Sequence, residues 1–320
     1  MLKIPGISEE DVTNIIISKK EFNIEENLKK LNEFNINFVC YGSENYPKRL
    51  LPYEHKPLWF FVKGEMPSDD VPSVAIVGAR NCTGYGKSMA KEIAYDLTKA
   101  GVQVISGMAR GIDSYSHTGA LNAGGKTFAV LGCGPDICYP KENINMYSDI
   151  IKNGGIISEY VPGTMPFAMQ FPQRNRIISG LSDRIIVIEA REKSGSLITV
   201  EWALEQGKDI MALPGRTTDS LSTGCNRLIK SGAALITSAK DVLEEMGLKT
   251  EERQEEKKIN IALEKDLQVV YSCVDLSLKH LHIIIEETGF EYEKTVKILL
   301  ELQMLNLIDE PVKDYFMRKT

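Results

Sequence analysis

Phe171-Pro-Gln-Arg-Asn-Arg-Ile-Ile-Ser-Gly-Leu-Ser-Asp183 runs directly into the apolar segment Arg184-Ile-Ile-Val-Ile-Glu-Ala190. The first part predicts a helix that begins near Phe171, and the second predicts a buried strand. Arginine side chains at a helix start, together with its free backbone N–H groups, favour phosphate. An aromatic side chain beside them can stack on a base. The stretch therefore predicts a helix–strand unit and a site for a phosphate backbone that carries bases. In the alternative interpretation, Arg174 and Arg176 pair with acidic side chains such as Asp183 and only hold the helix.

The same alternation of helices and apolar strands extends over most of the chain. Strands are predicted at residues 74–77, 102–105, 127–131, 155–158, 185–188 and 209–213. Helices are predicted between them, for example over 86–99 and 197–206. Continuous apolar strands separated by helices are typical of a parallel, doubly wound α/β sheet. Ligands of such sheets bind at the carboxyl ends of the strands.

Four segments are predicted along the chain. They are a small N-terminal helical domain at 1–66, the α/β domain at 67–246, a charged linker at 247–260 and a C-terminal domain at 261–320. In the C-terminal domain, predicted helices at 267–273, 278–288 and 292–305 precede a predicted hairpin at 308–317. Three helices and a hairpin of this length resemble a winged helix.

Composition places the chain among ordinary globular proteins. Its net charge of −6 argues at first against nucleic acid, but residues 74–242 carry three more basic than acidic side chains. Positive charge focused in one groove is sufficient for binding DNA. The six cysteines form no Cys-x-x-Cys pair, so neither a zinc site nor a disulfide framework is expected. With no apolar run near 20 residues and no signal peptide, we expect no membrane contact and a cytoplasmic location.

The first strand of the α/β domain ends in the glycine-rich turn Val77-Gly-Ala-Arg-Asn-Cys-Thr-Gly84. Such a turn between strand and helix can hold a phosphate. Asn81 rules out a Walker A loop, and Arg80 takes the second glycine position of a dinucleotide-binding motif. Dinucleotide binding is therefore disfavoured. Arg80 is interpreted as an anion ligand, with a solvated loop arginine as the alternative.

The second strand ends in Ser106-Gly-Met-Ala-Arg110-Gly111-Ile-Asp113, with His117 one helical turn further on. Asp113 and His117 share a helix face because they are four residues apart. A general acid/base pair is conceivable, but a structural hydrogen bond between the two side chains is the favoured interpretation. The other histidines show no ligand spacing, so no metal site is predicted.

Five turns of small residues are predicted at one edge of the sheet. Besides those at Arg80 and Ser106, they lie at Lys193–Thr199, Leu213–Arg216 and Ser222–Asn226. A small nucleotide needs one or two such turns, whereas an extended nucleic-acid strand can use most of them. The pattern therefore favours a strand as the ligand. The apolar edge around 210–213 and 228–235 is one candidate for a dimer interface.

These motifs, in this order, resemble the bacterial DNA-processing protein A (DprA/Smf) family. The matching runs include Val77–Arg80, Ser106–Asp113 with His117, Phe171–Ser182, Ser194–Thr199 and Gly224–Ile229. The resemblance implies an extended Rossmann-like domain that binds single-stranded DNA as a homodimer. It also implies that the protein protects incoming single strands during natural transformation and helps to load the RecA recombinase on them.

The resemblance implies Arg80 as a phosphate ligand and Phe171 as the aromatic that stacks on a base. The full predicted DNA-binding set is Arg80, Ser106, Gly107, Arg110, Gly111, Phe171, Arg174, Asn175, Arg176, Ser194, Gly195, Ser196 and Asn226. Some members carry a lysine shortly before the aromatic. This chain has Ala168 in that neighbourhood, and Gln170 is the candidate substitute. Neither a cofactor nor enzymatic activity is expected.

Two other functions compete with this one. Lonely Guy-type phosphoribohydrolases have a signature that can be aligned with Lys193–Glu201, but only Gly195 and Glu201 match it. Such an enzyme needs Glu201 to act on the ribose and Arg174 to hold the phosphate, but the paired glycines that make room for the phosphate are missing. A non-catalytic nucleotide-sensing module is the third alternative.

Overall fold

The computed structural model describes residues 8–21, 23–248, 265–275, 278–305 and 307–318. Contacts between residues divide the chain into two compact units, Met1–Thr250 and Glu251–Thr320. The predicted linker at 247–260 lies almost entirely outside the described residues. In the described part of the chain, no helix is both long enough and apolar enough to cross a membrane.

The first unit is built on a nine-stranded sheet in the order β1-β2-β6-β5-β4-β3-β7-β8-β9. Its strands are β1 Asn37–Cys40, β2 Trp59–Gly64, β3 Ser73–Val77, β4 Gln103–Ser106, β5 Thr127–Leu131, β6 Gly154–Ser158, β7 Arg184–Val187, β8 Asp209–Ala212 and β9 Ala234–Leu235. All pairings from β6 to β9 are parallel, whereas β1 and β2 add an antiparallel edge. The predicted parallel α/β sheet is confirmed.

Helices pack on both faces of this sheet. The helices described in the first unit are α1 Glu9–Glu21, α2 Ile24–Glu33, α3 Gly84–Lys99, α4 Ile112–Asn122, α5 Ile144–Lys152, α6 Gln170–Gly180, α7 Leu197–Glu205, α8 Thr223–Lys230 and α9 Ala239–Glu245. Alternate residues of β3 point to opposite faces. Ala75 belongs to the core that includes Ile177 of α6, and Ile76 belongs to the core that includes Ile93 of α3. The sheet is therefore doubly wound.

The segment before the parallel sheet is tied to it by Arg49. This side chain, which is only 12% exposed, donates to the carbonyls of Leu181 and Val71 at 3.3 and 2.6 Å and also to the Ser73 hydroxyl. It forms an ion pair with Asp183 at 3.3 Å. The predicted domain division at residue 66 stays a prediction, although β1 and β2, which precede it, belong to the sheet that follows.

The second unit has the three helices and the hairpin that the sequence predicts, at α10 Lys265–Cys273, α11 Leu281–Thr288, α12 Tyr292–Met304, β11 Ile308–Val312 and β12 Tyr315–Arg318. A two-residue strand, β10 Lys279–His280, completes an antiparallel sheet in the order β10-β12-β11. Val270, Ile284, Leu299 and Phe316 belong to its apolar core, to which all three helices and the sheet contribute.

Candidate functional site

A cavity of about 660 Å³ opens at the carboxyl ends of β3 and β7. The members of the predicted DNA-binding set that line it are Arg80, Phe171, Arg174, Asn175, Ser194, Gly195 and Ser196. They come from three places in the chain: the turn after β3, helix α6 and the turn before α7. Parallel strands end at one edge, so the fold brings these segments together as the sequence predicts.

Phe171 is at the centre of an aromatic stack in this cavity. The guanidinium of Arg80 lies over its ring at 5.8 Å, and the ring of Tyr139 stacks on it at 5.5 Å with an interplanar angle of 29°. Both neighbours are exposed, Tyr139 by 44%. An exposed cation and an exposed ring around one aromatic suit a ligand with both phosphate and base. Tyr139 is absent from the predicted set.

Arg174 is mainly a structural brace. Its side chain is 5% exposed and donates to the carbonyl of Gly107 at 2.8 Å, to the carbonyl of Val130, and to Oδ1 of Asn175 at 3.2 Å. These contacts join α6 to the ends of β4 and β5. Burial lowers the pKa of the Arg174 guanidinium. These bonds take up part of the hydrogen-bonding capacity of Arg174, which also lines the cavity, so its role as a DNA ligand stays a prediction.

Gly107 makes this brace possible. A Cβ atom on Gly107 would lie 2.5 Å from both terminal nitrogens of Arg174. The amide of Gly107 donates to Oδ2 of Asp113 at 3.1 Å, and its carbonyl accepts from Arg174. Both backbone groups of Gly107 therefore already have a partner within the protein, and the place of Gly107 in the DNA-binding set stays a prediction.

The predicted hydrogen bond between Asp113 and His117 is also wrong. Asp113 turns back to the Gly107 amide, whereas Nδ1 of His117 contacts the hydroxyl of Thr127 at 2.7 Å and its Nε2 has no partner among the described residues. Burial raises the pKa of Asp113 to about 6, against the opposing effect of Arg174. Burial lowers the pKa of His117 to about 3. Sharing a helix face did not join these side chains because each has a nearer partner outside the helix.

Several predicted residues lie outside the cavity lining. The buried Ser106 hydroxyl donates to the Ile76 carbonyl at 2.7 Å. Gly111 has a φ of 76° and packs against the backbone of Ala79 and Arg80. The amide of Asn226 spans the Gly215 backbone, donating to its carbonyl at 2.9 Å and accepting from its N–H at 3.2 Å.

The two remaining arginines of the predicted set form ion pairs away from the cavity. Arg110 pairs with Glu142 on the surface, where both side chains are at least half exposed. Arg176 pairs with Glu159, with only 15% of its own side chain exposed. Together with Arg174, these pairings leave Arg80 as the predicted arginine whose charge faces the cavity from an exposed position.

The cavity lining combines basic and apolar side chains. Its basic part, the charged wall, consists of Arg80, Arg191 and Lys193, and the sequence analysis did not select the last two as ligands. Its apolar part, the apolar wall, includes Tyr139, Pro166, Ala168, Phe171 and Pro172. The two parts meet where Arg80 lies over the ring of Phe171. The chain from 160 to 173 carries no charged side chain at all, so the positive charge of the lining comes from the charged wall.

The turn before α7 adds two hydroxyls and an open glycine to the cavity lining. The hydroxyls of Ser194 and Ser196 contact each other at 2.8 Å. The N–H groups of Ser196, Leu197 and Thr199 already donate to Ser194 Oγ, to the Ser194 carbonyl and to the Ser196 carbonyl. Gly195 is open, with nothing within 4 Å of the position a Cβ would take. The start of α7 still carries the partial positive charge of a helix N-terminus, which attracts anions. Glu201, which the hydrolase alternative requires, is exposed on α7 and is absent from the cavity lining.

Only part of the candidate dimer surface is accessible, because some of its residues are buried in the core. Ile210–Leu213 are at most 6% exposed and belong to the core, so they cannot reach a second copy. Leu235 in the edge strand β9 is 53% exposed. Only the second part of the predicted surface, at 228–235, therefore presents an apolar side chain at this edge of the sheet.

Comparisons with known proteins agree with this architecture. Residues 37–247 match the family of DNA recombination-mediator protein A. The DNA processing protein DprA of Streptococcus pneumoniae is 44% identical over 200 residues, which cover 62% of this chain and 71% of that protein. The DNA processing protein DprA of Bacillus subtilis is 40% identical over 215 residues, covering 67% and 72%.

Solved structures of two such proteins superpose on this chain. DNA processing protein A from Streptococcus pneumoniae has a TM-score of 0.64 at 40% identity, covering 70% of this chain and 78% of that one. DNA processing protein A from Helicobacter pylori, for which a single-stranded DNA binding mode is described, has a TM-score of 0.60 at 31% identity. This second alignment covers 67% of this chain and 97% of that one.

Proposed function

The chain belongs to the DNA recombination-mediator protein A family, and from this premise we propose that it binds single-stranded DNA in the cavity at the carboxyl edge of its sheet. We further propose that it works in the cytoplasm as a homodimer, that it protects incoming single strands during natural transformation, and that it helps to load RecA on them. It does so without a cofactor and without catalysing a reaction.

The observation that carries the proposal is a single cavity lined by both basic and aromatic side chains. Phosphates of a strand bind to Arg80, Arg191 and Lys193 and to the turn before α7, while bases contact the apolar wall around Tyr139 and Phe171. A duplex hides its bases inside the stack, so it can use only the charged wall. The same argument predicts weak sequence preference, because every base has a face that can stack.

The predicted DNA-binding residues divide into two roles in this proposal. Arg80, Phe171 and the Ser194–Ser196 turn contact the strand directly. Arg174 and Asn175 line the cavity, and Arg174 also braces α6. The residues behind or beside the cavity hold these segments in place, and they are Ser106, Gly107, Gly111, Arg176 and Asn226. Arg110, which is exposed beyond the cavity, contacts DNA that extends past it.

The second unit is proposed to be a winged helix. Its three helices, with β10 and the β11–β12 hairpin forming a small antiparallel sheet, match that architecture. Helix α12 exposes Leu300 by 55% and Met304 by 88%, and it carries both acidic and basic side chains. These features favour contact with a protein over contact with a phosphate backbone.

A gel-shift comparison of single- and double-stranded oligonucleotides over a salt series tests the binding proposal. We expect tighter binding of the single strand and affinity that falls as salt rises. Replacement of Arg80 by alanine should weaken binding and reduce the slope of log K against log salt by about 0.7, the value for one lost phosphate contact on a single strand. Lys152→Ala is the matched control, because Lys152 is 72% exposed at the opposite edge of the sheet.

Equal affinity for the two forms of DNA, no binding at low salt, or an unchanged dissociation constant for Arg80→Ala would each contradict the proposal. Light scattering on the full chain tests the homodimer. Formation of RecA filaments on single strands, measured with and without the protein, tests the loading role separately. Incubation with nucleoside monophosphates tests the hydrolase alternative, which requires release of free base that Glu201→Gln abolishes.

A further inference from the structure

The glycine-rich turn after β3 ends at an occupied anion position. Glu189, which lies just beyond the end of β7, places its carboxylate at the start of α3 and is only 3% exposed. The backbone N–H of Thr83 donates to Oε2 of Glu189 at 2.9 Å, and the hydroxyl of Thr83 donates to Oε1 at 2.5 Å. The same hydroxyl accepts from the N–H of Gly86 at 3.1 Å, which completes the cap of the helix.

Gly86 provides the room that this carboxylate needs. A Cβ atom at Gly86 would lie 2.5 Å from Oε2 of Glu189 and closer still to its carboxyl carbon. In phosphate-binding turns, glycine lets an external anion approach the backbone. In this chain, the glycine at the helix start admits a carboxylate from the protein itself.

The physical reason for the arrangement is the positive end of the helix. Helix α3 is 16 residues long, and its first turn presents N–H groups that have no partner within the helix. A buried carboxylate is costly unless hydrogen bonds and opposite charge compensate it. The donors that hold Glu189 are both neutral, so the partial positive charge of the helix start supplies the electrostatic compensation.

Glu189 also holds the turn that carries Arg80. Its backbone carbonyl accepts from the N–H of Ala79 at 2.7 Å, while its carboxylate binds Thr83 at the other end of the turn. One residue thus contacts the turn on both sides of Arg80. The side chain of Arg80 remains exposed in the cavity instead of closing over the start of α3.

We propose that Glu189 is an internal anion that closes the start of α3 to external phosphate. A free nucleotide therefore cannot place its phosphates where many doubly wound α/β proteins bind them. Arg80 and the turn before α7 remain for phosphate, and they lie in the open cavity. The inference concerns the exclusion of phosphate from one helix start and does not depend on whether the cavity binds DNA.

Replacement of Glu189 by alanine tests the proposal, because it empties the position that the carboxylate fills. Melting temperature is measured in chloride and in inorganic phosphate at equal ionic strength, and ADP binding is measured by calorimetry. Glu192→Ala is the matched control, since Glu192 is an acid of the same loop with 65% of its side chain exposed. We expect Glu189→Ala to melt several degrees lower in chloride, to regain part of that loss in phosphate in a concentration-dependent manner, and to bind ADP.

Wild type and Glu192→Ala should show only the small general effect of phosphate on folded proteins, and no ADP binding. A wild-type response to phosphate as large as that of Glu189→Ala would overturn the proposal, as would a destabilised Glu189→Ala protein that does not respond to phosphate. If Glu189→Ala does not fold, Glu189→Gln decides the question. It fills the same space without charge, so we expect a lower melting temperature and no response to phosphate, and an unchanged melting temperature would refute the electrostatic argument.

Discussion

Replacement of Gly107 by alanine is the sharpest test of how the site is built. The new Cβ would lie 2.5 Å from two nitrogens of the Arg174 guanidinium, so this group has to move. Its bonds to the carbonyls of Gly107 and Val130 are then broken or distorted, and the charge stays in a buried position. The variant should unfold more readily although the substitution adds only one methyl group.

The size of the effect follows from the two contacts that are lost. A hydrogen bond to a charged group contributes about 1.5–3 kcal/mol, so two of them amount to about 3–6 kcal/mol of unfolding free energy. Gly195→Ala is the matched control, because nothing lies within 4 Å of its Cβ position and its φ is not positive. That substitution should change stability by less than about 1 kcal/mol, in the stabilising direction.

Urea unfolding followed by tryptophan fluorescence measures both variants. The two tryptophans of the chain, Trp59 and Trp202, both lie in the Met1–Thr250 unit, so the signal reports on that unit alone. With an m-value of about 3 kcal/mol/M, a loss of 3 kcal/mol lowers the midpoint by about 1 M. A Gly107→Ala protein as stable as Gly195→Ala would refute the assignment of Arg174 as a brace.

Three further predictions concern the apolar wall, the buried histidine and the N-terminal tie. Phe167 is 62% exposed and lies in sequence between Pro166 and Ala168 of the apolar wall, and stacking contributes about 1–3 kcal/mol per base, so Phe167→Ala should weaken binding of single-stranded DNA by about fivefold or more. Binding of an abasic strand should stay unchanged. Ile24→Ala, where the side chain is 63% exposed, is the control, and equal losses of affinity for both strands would exclude stacking. His117 has a folded pKa of about 3, below its ordinary 6.5, so the folded state binds fewer protons than the unfolded state and the protein loses stability as pH falls below 6.5. In His117→Asn this loss of unfolding free energy should be smaller than in the wild type by about 2 kcal/mol at pH 5. If the urea midpoints of the two proteins fall in parallel as pH decreases, the burial of a neutral imidazole is contradicted. Arg49→Lys should cost about 2–3 kcal/mol in the same assay, because a single ammonium cannot reach all the acceptors that the guanidinium binds, and a cost near zero would show that the tie is dispensable.

The strands of the sheet were predictable because their apolar runs are continuous. All six predicted strands of the α/β domain lie within one or two residues of the observed ones. Strands β1 and β9 were missed because neither is a continuous buried run: in β1 only Val39 is buried, and β9 has only two residues. Both lie at the edges of the sheet, where each pairs with a single neighbouring strand.

The sequence predicted which residues gather near the site but not the contact that each of them makes. Arg80 and Phe171 are found in the cavity, as their place after a strand and at a helix start indicates. Lys193 was quoted as part of a turn but not selected, since a lone lysine in a polar turn carries no signal of its own. A structural role for Arg174 and Arg176 was among the alternatives, but the partners of the arginines at 110, 174 and 176 were not predictable, because each partner comes from elsewhere in the chain.

The amino-acid sequence by itself determined the doubly wound sheet, the edge at which the predicted ligand residues gather and the family, because apolar periodicity and turn residues act over a few neighbouring positions. Tertiary structure alone decided which charged side chains have partners within the protein. Arg174 binds carbonyls 67 and 44 residues away, and Glu189 binds Thr83 across 106 residues. Such contacts form only after the strands have aligned. They give one predicted ligand, Arg174, a structural role as well, and they place the carboxylate of Glu189 at the helix start where the sequence predicted a phosphate.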